Sequence, residues 1–240
     1  RKSKEKALTM QFRDLKQQYQ ALKAEIDKAI LDVVASGAYI MGTQVKELES
    51  RLAVYVGTKH CISCASGTDA LTLALKAWGV KQGDAVFVPD FTFFSSAEAV
   101  SLEGATPVFV DVDRETFNID PADLENKIEA TIQKRKLTPK VIIAVDLFGL
   151  PANYPAIRKI ADNHGLLILE DGAQSFGSAV NGKRSCSFGD ISTTSFFFFF
   201  SLGSYGDGCA CFTDDDEWAA LMASYRMHGK GSSKYENVRI

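Results

Sequence analysis

Residues 141–171 read VIIAVDLFGLPANYPAIRKIADNHGLLILED, in which two apolar runs, 141–145 and 166–169, flank a segment of helical character. Pro155 falls where a first helical turn accepts a residue without an N–H, and Gly165, directly after His164, supplies the stop. Two short apolar strands joined through a helix read as a β-α-β unit, which runs its strands parallel. Working outward, further apolar runs at 61–65, 85–88 and 106–110 are also separated by helical patterns. The alternation predicts an α/β fold of three layers, α/β/α, around a mostly parallel sheet.

The remaining helices have legible ends. Leu15, Tyr19, Leu22, Ile26, Ile30 and Val33 mark one helical stripe that stops at Gly37. A second helix is expected to start at an N-cap, Thr43, with Val45, Leu48, Leu52 and Tyr55 on one face. Asp120, Pro121 and Asp123 open a third that runs to Lys134. No internal repeat, low-complexity linker or domain boundary is visible, and 229–240 reads as an exposed polar loop.

A chain of 240 residues with 46% hydrophobic content builds one large α/β domain or two small ones. A net charge of -3 and a pI near 5.7 leave no basic footprint, which argues against nucleic acid as a partner. The basic start, residues 1–6, precedes no apolar stretch, and no run is long enough to span a bilayer, so the expectation is a cytoplasmic protein with no membrane partner. Cysteines at 61, 64, 186, 209 and 211 are an odd number, which favours reduced thiols. Cys61 and Cys64 have knuckle spacing, but residues three apart on a strand face opposite ways. Cys209 and Cys211 share a face without a second pair, so ordinary buried thiols are preferred to a metal site.

Ligands of parallel sheets bind beyond the carboxyl ends of the strands, and three segments are placed there. Ser66, Gly67, Thr68 and Asp69 precede a helix expected over 70–78, and such a helix start is either a phosphate cradle or plain capping. At the tip of the strand ending near Leu169 stand Glu170 and Asp171, followed by Gly172, Ala173 and Gln174. A carboxylate there needs a partner: an N–H, a metal or a protonated ring nitrogen. The third segment runs from Ser195 through five phenylalanines, 196–200, to Gly208. No charge falls between Asp190 and Asp207, so the run is expected to be buried, as a core strand or a pocket wall, with its glycines allowing a ligand close to the backbone. Neither GxGxxG after a strand nor GxxxxGK[ST] occurs.

Together and in this order, these segments resemble the DegT-type sugar aminotransferases, enzymes of fold type I that use pyridoxal phosphate. The resemblance covers Phe12 to Leu15, Gly42, and residues 66–71, 89–92, 104–113, 170–177 and 205–208. It implies a pyridoxal phosphate-binding large domain over 10–240, an extraneous segment over 1–9, and a small C-terminal domain beyond this chain. It further implies that Gly67 and Thr68 hold the cofactor phosphate, with Ser195 adding a side-chain bond. Phe93 would stack on the pyridine, although by itself it also reads as a core aromatic. Asp171 would keep the ring nitrogen protonated and Gln174 would sit beside the phenolic oxygen. The implied reaction moves an amino group, from glutamate, to a nucleotide-linked keto sugar in a homodimer.

One position departs from the pattern. The family resembles Ser, Phe, Phe, Pro, Ala, Lys, Pro, Leu, Gly where this chain has Ser195 to Gly203, which places Phe200 on the Schiff-base lysine. Positioned proton transfer contributes roughly 10²–10⁴ in rate, and phenylalanine neither gives nor takes a proton. Lys183 and Lys230 read as surface charges rather than substitutes. The chain is therefore expected to be impaired or inactive; the alternative is a noncatalytic relative that binds cofactor or nucleotide sugar.

Overall fold

The computed structural model describes residues 13–231 and Asn237, so the expectation for 1–9 and most of that for the last residues lie outside the described residues. Contacts divide the chain into two compact units, 1–46 and 47–240. In the first, α1 (Leu15–Ser36) is capped by Asp14, whose side chain accepts from Gln17 N at 2.9 Å, and it ends at Gly37 with φ 67°. The unit boundary falls within α2 (Thr43–Val56). Thr43 is the first residue of that helix rather than its cap, because the Gly42 carbonyl accepts the opening bond from Val45 N.

The second unit continues through β1 (His60–Cys64), α3 (Gly67–Ala77), β2 (Asp84–Pro89), α4 (Ser95–Leu102), β3 (Thr106–Val110), α5 (Pro121–Lys134) and β4 (Thr138–Val145). It then runs through α6 (Tyr154–His164), β5 (Leu167–Asp171), the short β6 (Ala179–Val180) and β7 (Lys183–Arg184), β8 (Ile191–Ser195), β9 (Cys209–Thr213) and α7 (Asp216–Tyr225). Seven strands form one sheet in the order β1-β9-β8-β5-β4-β2-β3. All neighbours are parallel except at β9, which is antiparallel to both β8 and β1. On one face α3, α4 and α7 bury Leu71, Leu75, Val100 and Met222; on the other α5 and α6 bury Leu124, Ile128 and Ile157. The layers are those expected. Among the described residues no helix is long and apolar enough to cross a membrane.

Helix ends follow local chemistry. Asp120 Oδ1 accepts from Ala122 N at 2.8 Å with Pro121 opening α5, and Gly165 closes α6 at φ 66°. The hairpin β6–β7 turns through Asn181 and Gly182, both at positive φ, as a two-residue Asn-Gly turn requires. Cys61 packs on the side of Phe212 and Cys186, whereas Cys209 and Cys211 pack on the side of α3, with Cys64 beside them.

Two further expectations need correction. Helix α3 starts at Gly67, three residues earlier than the apolar pattern marked, because Ser66 caps it by accepting from Asp69 N. The phenylalanine run is not a core strand and not wholly buried; it gives the pocket wall of the other expectation, through Phe197 and Phe200. Strand β8 stops at Ser195, Phe196 alone of the five is buried, and a turn from Phe197 to Phe200 is closed by Phe200 N donating to the Phe197 carbonyl at 2.8 Å. Phe197 and Phe199 keep 38% and 48% of their surface exposed. The rings offset this by packing on one another, with centroids 4.4 Å apart for Phe197 and Phe198 and 4.5 Å for Phe198 and Phe199. Gly203 serves that turn rather than a ligand, since a Cβ there would lie 2.8 Å from the Phe198 carbonyl oxygen.

Candidate active site

At the carboxyl ends of the parallel strands lies a cavity of about 440 Å³. Gly67, Thr68, Phe93, Asp171, Gln174, Ser195 and Phe200 all line it, so the structure brings together the seven positions to which the resemblance gave roles. Lys183 is exposed on its hairpin and Lys230 is half-buried; neither lines the cavity.

One wall is the start of α3. Gly67 and Thr68 occupy its first turn, where backbone N–H groups have no intrahelical acceptor, and Ser66 takes the capping role. Capping and cradle therefore coexist. A Cβ on Gly67 would lie 3.3 Å from Ser195 Cβ and 3.4 Å from its Oγ, so the missing side chain leaves the cradle open between the two residues. Thr68 Oγ1 bonds Ser95 Oγ at 2.8 Å, and Ser195 Oγ accepts from Phe197 N at 3.2 Å.

The floor is Asp171. Alternation along β5 sends Glu170 to the opposite face, so the two adjacent carboxylates meet different surroundings. Asp171 accepts from Ser96 Oγ at 3.0 Å and from Ala173 N at 3.3 Å, and among the described residues it meets no cation. Burial pushes its carboxyl above the ordinary range. Gly172 keeps the chain beneath it close, since a Cβ there would lie 2.7 Å from Cys186 Sγ and 3.0 Å from the Thr193 carbonyl oxygen.

Gln174 is oriented by a turn the sequence did not flag. Its Oε1 accepts from Phe148 N at 2.7 Å, which leaves the amide NH2 as the end available to an acceptor. Phe148 sits in a left-handed conformation, φ 56°, in the short turn after β4. Phe93 is 72% exposed on the cavity wall, which removes the core reading for it. Ser96, Ser95 and the Phe148 N–H are the supporting groups that sequence reasoning missed. Serines at a helix start read as caps, and a backbone donor has no sequence signal.

Behind the floor, Glu170 is fully buried and accepts from Phe188 N at 2.6 Å, Gly189 N at 3.2 Å, Ser192 Oγ at 2.7 Å and the Cys186 N–H. Asp146 is equally buried and accepts from Ala152 N, Tyr154 Oη and Ser175 Oγ. Ser185 Oγ lies within reach of both carboxylates. Burial first, and the Asp146 charge second, push Glu170 up to about 8. A carboxyl raised in the folded state from 4.5 contributes stability that is complete below pH 4.5 and is lost as pH rises through about 8, because the folded chain holds the extra proton in that window. The urea midpoint is therefore expected to fall between pH 5 and pH 8.5. Glu170→Gln, which sets an NH2 against the Phe188 and Gly189 donors, is expected to lower the midpoint throughout and flatten its pH slope; an unchanged slope would contradict the assignment.

A buried carboxylate facing an anion cradle across one cavity suits a ligand that is cationic at one end and a phosphate at the other, the class of site found in pyridoxal phosphate-dependent enzymes. The chain belongs to the DegT/DnrJ/EryC1/StrS aminotransferase family, whose model matches residues 20–239. It is 46% identical over 231 residues to the UDP-2-acetamido-2-deoxy-3-oxo-D-glucuronate aminotransferase of Pseudomonas aeruginosa, covering 96% of this chain and 62% of that relative. A crystal structure of a DegT DnrJ EryC1 StrS aminotransferase from Brucella abortus superposes with a TM-score of 0.95 at 49% identity, covering 97% of this chain and 62% of the other. The structure of NtdA from Bacillus subtilis with bound cofactor PMP matches with a TM-score of 0.80 at 31% identity, over 90% of this chain and 48% of that one. The fold is that of this aminotransferase family, and one of the matching structures carries the cofactor PMP. The chain thus spans about three fifths of the first relative's length.

Proposed function

We propose that residues 10–240 are the cofactor-binding large domain of a nucleotide-sugar aminotransferase, and that with Phe200 in place the cavity holds pyridoxal phosphate without a covalent link. The observation that carries this reading is the convergence of Gly67, Thr68, Phe93, Asp171, Gln174 and Ser195, from four separate strand ends, on one cavity. Bound there, the cofactor supplies an electron sink for the carbon next to the transferred nitrogen. The chain's own residues do the rest. The α3 N–H groups and the Thr68 and Ser195 hydroxyls bind the phosphate, Asp171 holds a proton on the ring nitrogen, Gln174 donates to the phenolic oxygen, and Phe93 excludes water from one face of the ring.

The substrate class follows from the relatives, one of which is named for a UDP-linked 3-oxo sugar. For this chain the reading is a nucleotide-linked keto sugar as acceptor and glutamate as donor, in the cytoplasm, with five free thiols in support of a reducing setting. A homodimer is supported by Phe93, Phe94 and Phe148, each 72% exposed, with Phe93 on the cavity wall. The noncatalytic alternative is favoured by Phe200, which lines the cavity where the proton-transferring amine of the family would stand.

The test compares pyridoxal phosphate with pyridoxal. Pyridoxal phosphate is expected to raise the melting midpoint of the chain and quench its aromatic fluorescence, and pyridoxal is expected to do neither at the same concentration. Gly67→Val, which fills the cradle, is expected to abolish the difference. Equal effects of the two compounds on the unsubstituted chain would overturn the phosphate assignment.

A further inference from the structure

Three of the five cysteines meet at a single place, and the function proposed above uses none of them. Cys64 ends β1, Cys209 begins β9, and the two are directly paired across the antiparallel ladder. On its other side Cys209 pairs with Ser195 of β8, so Cys64, Cys209 and Ser195 form one cross-strand row beneath the cradle. Their thiols are in contact, with Cys64 Sγ 2.7 Å from Cys209 Sγ, and Cys211 completes the cluster with its own Sγ 3.5 Å from the Ala70 carbonyl oxygen. Cys61 and Cys186 lie in the opposite layer.

We propose that Cys64 and Cys209 are a redox-active dithiol, oxidised by a peroxide to a disulfide that clamps β1 to β9 under the phosphate cradle. The geometry suits closure without backbone movement, because directly opposed residues of antiparallel strands have Cα atoms about 4.5–5.5 Å apart, inside the range a disulfide spans. Roles differ by burial. Cys64 is half-buried, whereas Cys209 and Cys211 are fully buried. Hydrogen bonds from Cys209 and Cys211 hold the Cys64 thiol below its ordinary value, and the same contacts with burial push the other two up. Cys64 is thus the thiolate that attacks and Cys209 the thiol that resolves.

The chemistry closes with hydrogen peroxide as oxidant. The Cys64 sulfur attacks one peroxide oxygen, an S–O bond forms, the O–O bond breaks, and the departing hydroxide leaves as water with the thiol proton. The Cys209 sulfur then attacks Cys64, an S–S bond forms, the S–O bond breaks, and a second water leaves with the Cys209 proton. Two thiols are oxidised and one peroxide is reduced to two waters. A dithiol reductant reverses the step.

The full chain treated with stoichiometric hydrogen peroxide is expected to lose two of its five titratable thiols. Peptide mapping without reductant is expected to find one link, Cys64 to Cys209, and the melting midpoint is expected to rise and to return with dithiothreitol. Cys64→Ser should retain all its remaining thiols. Cys209→Ala, which keeps the apolar packing, should stop at a sulfenic acid on Cys64 that dimedone captures. Five thiols surviving in the unsubstituted chain, a link through Cys211, Cys61 or Cys186, or thiol loss undiminished in Cys64→Ser would each overturn the proposal.

Discussion

Incubated with pyridoxal phosphate and then borohydride, the chain is expected to keep its mass, while Phe200→Lys is expected to gain one cofactor. The difference is all or none because it rests on a single amine. Phe200 lines the cavity together with Phe197, and no lysine is among the cavity-lining residues described. A lysine set into this aromatic wall would be partly desolvated, which lowers its pKa and raises the fraction of neutral amine able to attack an aldehyde. The substitution removes the ring contact of Phe200 with Phe197, whose centroids are 5.6 Å apart, and such a contact contributes about 0.5–1.5 kcal/mol. An adduct on any lysine of the unsubstituted chain, Lys183 or Lys230 included, would show that the cavity recruits an amine from elsewhere.

Asp171→Asn is expected to make the empty chain more stable at pH 8 and the cofactor-bound chain less so. Burial raises the Asp171 carboxyl, so its contribution is favourable below the unfolded value of 3.8 and is lost as pH rises through the folded value. At pH 8 the charged form is a net cost in the empty cavity, and an amide removes it. Asparagine keeps the Ala173 N–H on its oxygen, and the Ser96 hydroxyl can rotate to accept from its NH2. With pyridoxal phosphate present the sign reverses. The carboxylate that was unpaired by any cation would now face a protonated ring nitrogen, and truncating one side of such a buried charge pair costs about 2–5 kcal/mol, or roughly 30-fold to several thousandfold in affinity. Calorimetry with and without cofactor reads both halves. Undiminished affinity in the variant would mean that Asp171 does not meet the ring.

Much of the fold is legible in the sequence. Pro121, Pro155, Gly37 and Gly165 place helix ends because backbone chemistry at those residues is local, and the apolar runs place β1 to β5, most plainly β2, β4 and β5, which lie inside the sheet and have little polar content. Strand β8 was not marked, since Ile-Ser-Thr-Thr-Ser has one apolar residue in five. It is nonetheless fully buried because its hydroxyls are satisfied: Ser192 on Glu170, Thr193 on the Glu170 carbonyl and Thr194 on the Gly172 carbonyl. Those partners are some twenty residues away, beyond any local pattern. The division of labour between Glu170 and Asp171 was implicit in strand alternation, but which face held the cavity was not. The phenylalanine run misled for a related reason: composition demanded burial, and the chain satisfied much of that demand within the run by folding the rings against one another.

The position of β9 has a consequence for how the protein comes into being. It lies between β8 and β1, so the two halves of the cradle, Gly67 and Ser195, are brought to their separation by a strand that follows both of them in the chain. A ribosome that has released residues 60–195 has supplied every cofactor contact proposed here, yet not the strand that sets their spacing. At about 5–20 residues per second the wait for Thr213 is on the order of a second or more, during which β8 and β1 present unpaired edges. Cofactor capture during synthesis would therefore begin only after β9 has threaded between its neighbours, which makes the late strand, rather than the binding residues, the timing element of assembly.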